Sequence, residues 1–182
     1  MIKALLFSTL ALTLSAHGPV TSWDFEQATP TLEQGWTAAS DQMAAGSSYL
    51  MVRVEKDGSN KALHISGETI GVELGPAKDL IRPFVCAIHS LGDSPLFPAD
   101  LSGAKTLSFR IKGHSDTAEI ALFQEGKGNV PALQTVKVTP EWTSYRLPLA
   151  SFGLDTSRVT ALAIGRSTLG KVDVLVDDIQ IQ

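Results

Sequence analysis

Thr106-Leu107-Ser108-Phe109-Arg110-Ile111-Lys112 alternates without a break. Leu107, Phe109 and Ile111 point one way, and Thr106, Ser108, Arg110 and Lys112 the other, the two-residue period of a strand with one face in a core and one in water. Working outward, Leu50, Val52 and Val54 alternate with Met51, Arg53 and Glu55. Lys56-Asp57-Gly58-Ser59-Asn60 then turns the chain into 62–66, where Leu63 and Ile65 repeat the pattern. This is a β-hairpin with Gly58 at its positive-φ position. Further strands are expected at 20–25, 84–89, 118–123, 133–138, 143–147, 159–164 and 171–181. No segment after the first residues keeps a helical period, and 149–152 and 154–157 are too short for more than a turn. Nine or ten short strands between Gly, Pro, Asn and Asp clusters predict an all-β, two-sheet jelly-roll sandwich. The stretch 92–102, with Pro95 and Pro98, reads as a surface loop.

The 182 residues, 43% hydrophobic and 19% charged, suffice for one domain with a core. A net charge of -4 leaves no basic field for a phosphate backbone, so nucleic acid is excluded as a partner. One Cys closes no internal disulfide and builds no Cys-rich metal site. Met1-Ile2-Lys3 followed by an uncharged, Leu-rich run at 4–16, broken by His17-Gly18-Pro19, reads as a signal peptide over 1–18. The run is shorter than the roughly 20 residues needed to span a bilayer as a helix. A secreted or periplasmic β-sandwich over 19–182 is the expectation, with no membrane contact beyond the leader.

The chemistry-bearing residues are sparse. After the leader the histidines are His64, His89 and His114, and no Gly-x-Ser-x-Gly, His-Glu-x-x-His or phosphate-binding glycine loop occurs, so no catalytic residue is assigned. Cys86 and His89 stand three apart in a strand and so on opposite faces, which rules out a nucleophile–base pair. Cys86 reads as a small core residue flanked by Val85, Ala87 and Ile88, and His64, on one face with Ala62 and Ser66, as solvated. Asp24 and Glu26 in the first strand and Asp177 and Asp178 in the last are candidate ligands of a structural calcium ion, which takes hard carboxylate and carbonyl oxygens. The alternative is that these carboxylates cap turns or face water. Sugar recognition needs exposed rings beside hydrogen-bonding groups. Trp36 and Tyr49, flanking the polar segment 40–48, are the candidate platform, whereas Trp23 and Trp142 read as structural. Gln124 and Asn129 are candidate contacts, the latter in the Gly126-Lys127-Gly128-Asn129-Val130-Pro131 loop.

Several segments form one wider pattern. They are Trp23-Asp24-Phe25-Glu26, Gly35-Trp36, Ser40-Asp41-Gln42-Met43-Ala44-Ala45-Gly46-Ser47-Ser48, Ala62-Leu63-His64-Ile65-Ser66-Gly67, Asp100-Leu101-Ser102, Glu141-Trp142, Tyr145-Arg146-Leu147-Pro148-Leu149 and Asp177-Asp178-Ile179. Together they resemble the complex I intermediate-associated family. The resemblance implies a galactose-binding-like jelly roll, a fold shared with many carbohydrate-binding modules. That family includes a mitochondrial assembly factor for respiratory complex I, and similar domains trail secreted bacterial amidohydrolase-like enzymes. Its usual pattern has Gly-Gly after the Met, where this chain has Ala44-Ala45, which removes glycine from two places where the backbone could need it. The function expected is a non-catalytic extracytoplasmic module binding a glycan or another extracellular ligand. The alternatives are a protein-interaction or assembly factor and an accessory domain of a hydrolase.

Overall fold

The computed structural model describes residues 21–27, 35–71, 82–94 and 97–182. The expected signal peptide, 1–18, lies outside the described residues, as do Val20 of the first expected strand and Pro95 of the expected loop. Eleven strands are described: β1 (Thr21–Trp23), β2 (Thr37–Ser40), β3 (Tyr49–Asp57), β4 (Asn60–Thr69), β5 (Val85–Ser90), β6 (Thr106–Gly113), β7 (Thr117–Gln124), β8 (Ala132–Lys137), β9 (Thr143–Pro148), β10 (Val159–Arg166) and β11 (Gly170–Ile181). They form two antiparallel sheets. One runs β3-β4-β11-β6-β9 with β1 paired to β11, and the other runs β2-β5-β10-β7-β8. The fold is therefore the expected all-β sandwich.

Two-residue alternation explains why the sheets face each other. Leu107, Phe109 and Ile111 of β6, Val172, Val174 and Val176 of β11, and Leu63 and Ile65 of β4 are all buried. Ile120 and Leu122 of β7 and Leu162 and Ile164 of β10 are buried in the same cluster. Each such side chain contributes about 1.5–3 kcal/mol on leaving water. Gly58 turns the β3–β4 hairpin at φ 65, as its sequence demands.

The expected strands differ from the described ones mainly at their ends. β2 is an addition, and its Thr-Ala-Ala-Ser carries no alternating large residues. It exists through backbone pairing with β5, Thr37 opposite Ile88 and Ser40 opposite Val85. In β11 the register shifts between Asp177 and Gln180, where Asp178 has φ 50. Asp177 follows the core residue Val176 onto the outward side beside Arg110, and the extra residue of the bulge returns Ile179 to the core. No helix among the described residues is long and apolar enough to cross a membrane.

Candidate functional site

The two outward faces of the sandwich carry different chemistry. On the five-stranded sheet, one register row reads Thr37, Ile88, Ala163, Ala121, Leu133, and the next reads Ala39, Cys86, Gly165, Glu119, Thr135. Neither row contains an aromatic ring. On the six-stranded sheet the rows are polar: Tyr49, Glu68, Lys171, then Met51, Ser66, Asp173, then Arg53, His64, Leu175, Lys112. The candidate site is on this second face.

A local staple sets where the face begins. After β2 the chain makes a 3-10 turn over Asp41–Ala44, and Asp41 is fully buried. Its Oδ1 accepts from the Ser48 amide at 3.0 Å and its Oδ2 from the Ser48 hydroxyl at 2.7 Å. The same hydroxyl accepts from the Ile70 amide at 2.9 Å. Ala45 closes the turn in the left-handed region, φ 66 and ψ 25, a conformation that favours glycine. Gly46 has no substitute, because a Cβ there would lie 2.3 Å from Asp41 Cγ. The polar segment 40–48 is thus a brace from β2 to the end of β4, and it delivers Tyr49 to the edge of the sheet.

Beside that edge is an open cleft of about 380 Å³, lined by Tyr49, Met51, Ser66, Gly67, Lys171 and Asp173 with the backbone of their neighbours. The Tyr49 ring is 51% exposed, and its hydroxyl donates to Glu68 Oε2 at 3.2 Å. That carboxylate pushes the phenol above its ordinary pKa. Gly67 pairs with Leu50 and Val172 on the side of β4 that faces the core, and it lets β3 approach closely, since a Cβ there would sit 2.1 Å from the Tyr49 carbonyl oxygen. Asp173 Oδ1 meets His64 Nε2 at 2.8 Å, and His64 Nδ1 meets Glu55 Oε2 at 2.7 Å. Arg53 holds Glu55 through Nε at 2.9 Å and Nη2 at 2.8 Å. The Arg53 hydrogen bond is the main cause, ahead of the His64 one, of a Glu55 carboxyl held below the usual range.

Further along the same face, the β3–β4 hairpin is latched across the sheet. Asp57 accepts from Lys112 Nζ at 2.7 Å and from Trp142 Nε1 at 2.9 Å. Lys112 first, and then the indole N–H, hold the Asp57 carboxyl below its ordinary pKa. Arg110 and Lys112 each lie 5.1 Å from the Trp142 ring centroid, so cations already occupy that ring's surroundings. Arg110 also bridges Asp177 at 2.8 Å and Asp178 at 2.6 Å, and Asn60 donates to Asp177 at 2.7 Å. Burial is the largest influence on Asp177 and pushes its carboxyl up.

Of the residues expected at the ligand site, Tyr49 alone borders the cleft. Trp36 is corrected: it is 2% exposed and belongs to the core. Gly35, at φ 84, turns it inward, where its ring meets Trp23 at 5.6 Å and His89 at 5.4 Å. Gln124 stands at the end of β7 on the other sheet, accepting from the Asp155 amide at 3.0 Å, and Asn129 is exposed in the β7–β8 loop. The expected calcium set is not brought together either. Asp24 accepts from the Glu26 amide at 3.3 Å, Glu26 accepts from the Lys61 amide at 2.9 Å, and Arg110 neutralises Asp177 and Asp178. Among the described residues no three His, Cys, Asp or Glu side chains are grouped to hold a metal ion. His64 is corrected from solvated to half-buried between two carboxylates. Cys86 is on the outward side of β5, with Val85 and Ala87 pointing in, and burial pushes its thiol up to about 12. His89 packs against Trp23 at 4.8 Å, so the two residues stay on opposite faces.

Sequence reasoning missed His64, Ser66, Lys171 and Asp173 as one group. The alternation of β4 puts His64 and Ser66 on the wet face, but their meeting with Asp173 depends on a pairing more than a hundred residues apart in the chain.

No family model and no curated protein matches the sequence. Solved structures do match its fold. A family 11 carbohydrate-binding module of a cellulosomal cellulase of Clostridium thermocellum superimposes with a TM-score of 0.68 at 12% identity, covering 90% of this chain and 94% of that one. The family 11 module from that organism in complex with a β-1,3-1,4-mixed-linked tetrasaccharide gives 0.66 at 12% identity, over 89% and 94%. A family 30 carbohydrate-binding module of another cellulosomal cellulase of the same organism gives 0.59 at 17%, over 89% and 97%. The chain shares the jelly-roll sandwich of these modules.

Proposed function

We propose that this chain is a non-catalytic, extracytoplasmic module that binds a glycan in the cleft beside Tyr49. One observation carries the reading. A half-exposed tyrosine lines an open cleft together with Ser66 of β4 and with the Asp173 carboxylate and Lys171 ammonium of β11, the strand beyond it. A ring face takes the apolar face of a pyranose, and the carboxylate, hydroxyl and ammonium take its hydroxyls. The shared fold with carbohydrate-binding modules supports the same reading, and the apolar run behind Lys3 supports export. A non-catalytic role agrees with a thiol held protonated at neutral pH and turned away from His89.

The test is calorimetric titration of the chain with a panel of neutral and charged oligosaccharides that includes the mixed-linked tetrasaccharide. Saturable binding that is lost in Tyr49→Ala and weakened in Asp173→Asn supports the reading. Binding that survives both variants, or no binding across the panel, refutes it.

A second reading has its own observation. The outward face of the five-stranded sheet presents Ile88, Phe123 and the 46%-exposed Leu133 among small apolar residues, which suits a protein partner better than a sugar. A protein-interaction or assembly role, as the resemblance to the complex I intermediate-associated family implies, would use that face. Service as an accessory domain to a separate hydrolase is compatible with the cleft and would show as activity of the partner enzyme toward the same glycan.

A further inference from the structure

The cleft's acceptor is controlled by a neighbour that does not line it. We propose that His64 is a positioning residue for glycan binding: as an imidazolium it clamps Asp173 in the orientation a sugar hydroxyl needs, and on losing its proton it releases that carboxylate. The inference rests on the glycan-binding reading of the cleft.

Both ring nitrogens of His64 face carboxylate oxygens, Nδ1 at 2.7 Å from Glu55 and Nε2 at 2.8 Å from Asp173. Two hydrogen bonds to two acceptors require both nitrogens to donate, which only the doubly protonated ring does. The neutral ring keeps one donor, and its bare lone pair would then face an anionic oxygen at contact distance. One of the two contacts must break. The surroundings decide which one. From β3, Glu55 faces the ring and is gripped by two nitrogens of Arg53. From β11, Asp173 faces it, with the Lys171 ammonium two residues along the same face, and among the described residues His64 is the one hydrogen-bond partner of that carboxylate. Lys112 of β6 comes next in the same register row, beyond Leu175, and is engaged by Asp57. Glu55 therefore keeps its place and Asp173 swings free. The side chain of His64 is 16% exposed, so solvent protons reach it while the clamp stays ordered.

Three measurements on the full chain test this: ring ¹⁵N shifts of His64, the side-chain carboxyl ¹³C shift of Asp173, and affinity for the mixed-linked tetrasaccharide, each followed between about pH 5 and 8. The expected result is a doubly protonated ring at the acid end and an Asp173 shift that titrates with it. Affinity should fall on the order of tenfold as the ring deprotonates. His64→Gln, which cannot donate to both carboxylates, should bind weakly and without that pH dependence. A neutral ring at the acid end, an Asp173 shift that ignores His64, or an affinity that stays flat while the ring titrates would each overturn the clamp. The two shifts need no ligand, so they judge the clamp even where absence of binding at every pH has refuted the glycan reading. They also need only the unmodified chain should His64→Gln fail to fold.

Discussion

Ala45→Gly should stabilise the protein, and Gly46→Ala, one residue on, should strongly destabilise it. Ala45 holds φ 66 and ψ 25, and its side chain is exposed, so removing Cβ costs no packing. The left-handed region costs an L-residue with a Cβ about 1–2 kcal/mol. Glycine recovers that, less about 0.4–1 kcal/mol for the extra freedom it gives the unfolded chain. The net is a gain of about 0.5–1 kcal/mol, or roughly 1–4 °C in Tm for a domain of this size. Gly46 faces the opposite situation. An added Cβ would meet Asp41 Cγ at 2.3 Å and Oδ1 at 2.4 Å, and that carboxylate is fully buried. Making room breaks its two bonds to Ser48, each a charge-assisted bond worth about 1.5–3 kcal/mol. The expected loss is about 3 kcal/mol or more, on the order of 10 °C. Urea denaturation followed by tryptophan fluorescence measures both variants. A destabilised Ala45→Gly would refute the left-handed turn, and a neutral Gly46→Ala would refute the Asp41–Ser48 brace.

Four further outcomes follow from named contacts. Asp57→Asn should cost about 1–2 kcal/mol at neutral pH. Because the Asp57 carboxyl titrates below its unfolded value, its contribution is present above that value and disappears as pH falls through the lowered folded one. The variant's stability curve should therefore meet the wild type's in acid, and a constant gap between the two curves across pH would contradict the assignment. Asp177 has the opposite sign. Its carboxyl is raised, so it favours the fold most when protonated and loses that advantage as pH rises from the unfolded value toward the folded one. Asp177→Asn should change stability by less than about 1 kcal/mol at neutral pH, since Asp178 still holds Arg110, and a loss above about 2 kcal/mol would count against this. Trp36→Phe should leave glycan affinity unchanged while lowering Tm, as a core ring would, and reduced affinity at unchanged Tm would return Trp36 to the site. Cys86 should resist thiol reagents at neutral pH in the folded chain and react on unfolding, and rapid labelling of the native protein would contradict its raised thiol.

Much of the sandwich was legible because alternation is a local signal. Leu107, Phe109 and Ile111 announce a core face whatever they pack against, and Gly58 announces its turn. β2 was not legible, because Thr37–Ser40 owes its state to a partner strand and not to its own pattern. The site was legible only in fragments. Tyr49 was singled out beside a polar segment and does border the cleft, but the same reasoning chose Trp36, and proximity to a loop says nothing about which side of the chain a ring takes. Gly35 decided that, through a backbone angle with no sequence period. The acidic residues of the first and last strands do come from neighbouring elements, since β1 pairs with β11. What the sequence could not show is that Arg110 reaches Asp177 and Asp178 first, and that the Lys61 backbone amide takes Glu26. A carboxylate's role depends on the nearest cation in space, and that cation comes from a third strand.

The two outward faces also limit which functional readings can hold together. A sugar gives up bound water when it docks, so it gains only where polar groups replace that water around a ring face. The six-stranded face offers Tyr49, Ser66, Lys171 and Asp173 in adjacent register, with one acceptor under the control of His64. The five-stranded face offers Ile88, Ala163, Ala121 and Leu133 in one row beside Thr37, with Glu119 and Thr135 in the next, a more apolar surface that favours a partner with apolar side chains over a sugar. One protein can use both faces at once, because the core between them leaves each free to change without the other. Substitutions on one face should accordingly leave binding at the other intact. A Leu133→Lys variant that abolished glycan binding while keeping its fold would move the glycan to the five-stranded sheet and overturn the assignment of the cleft.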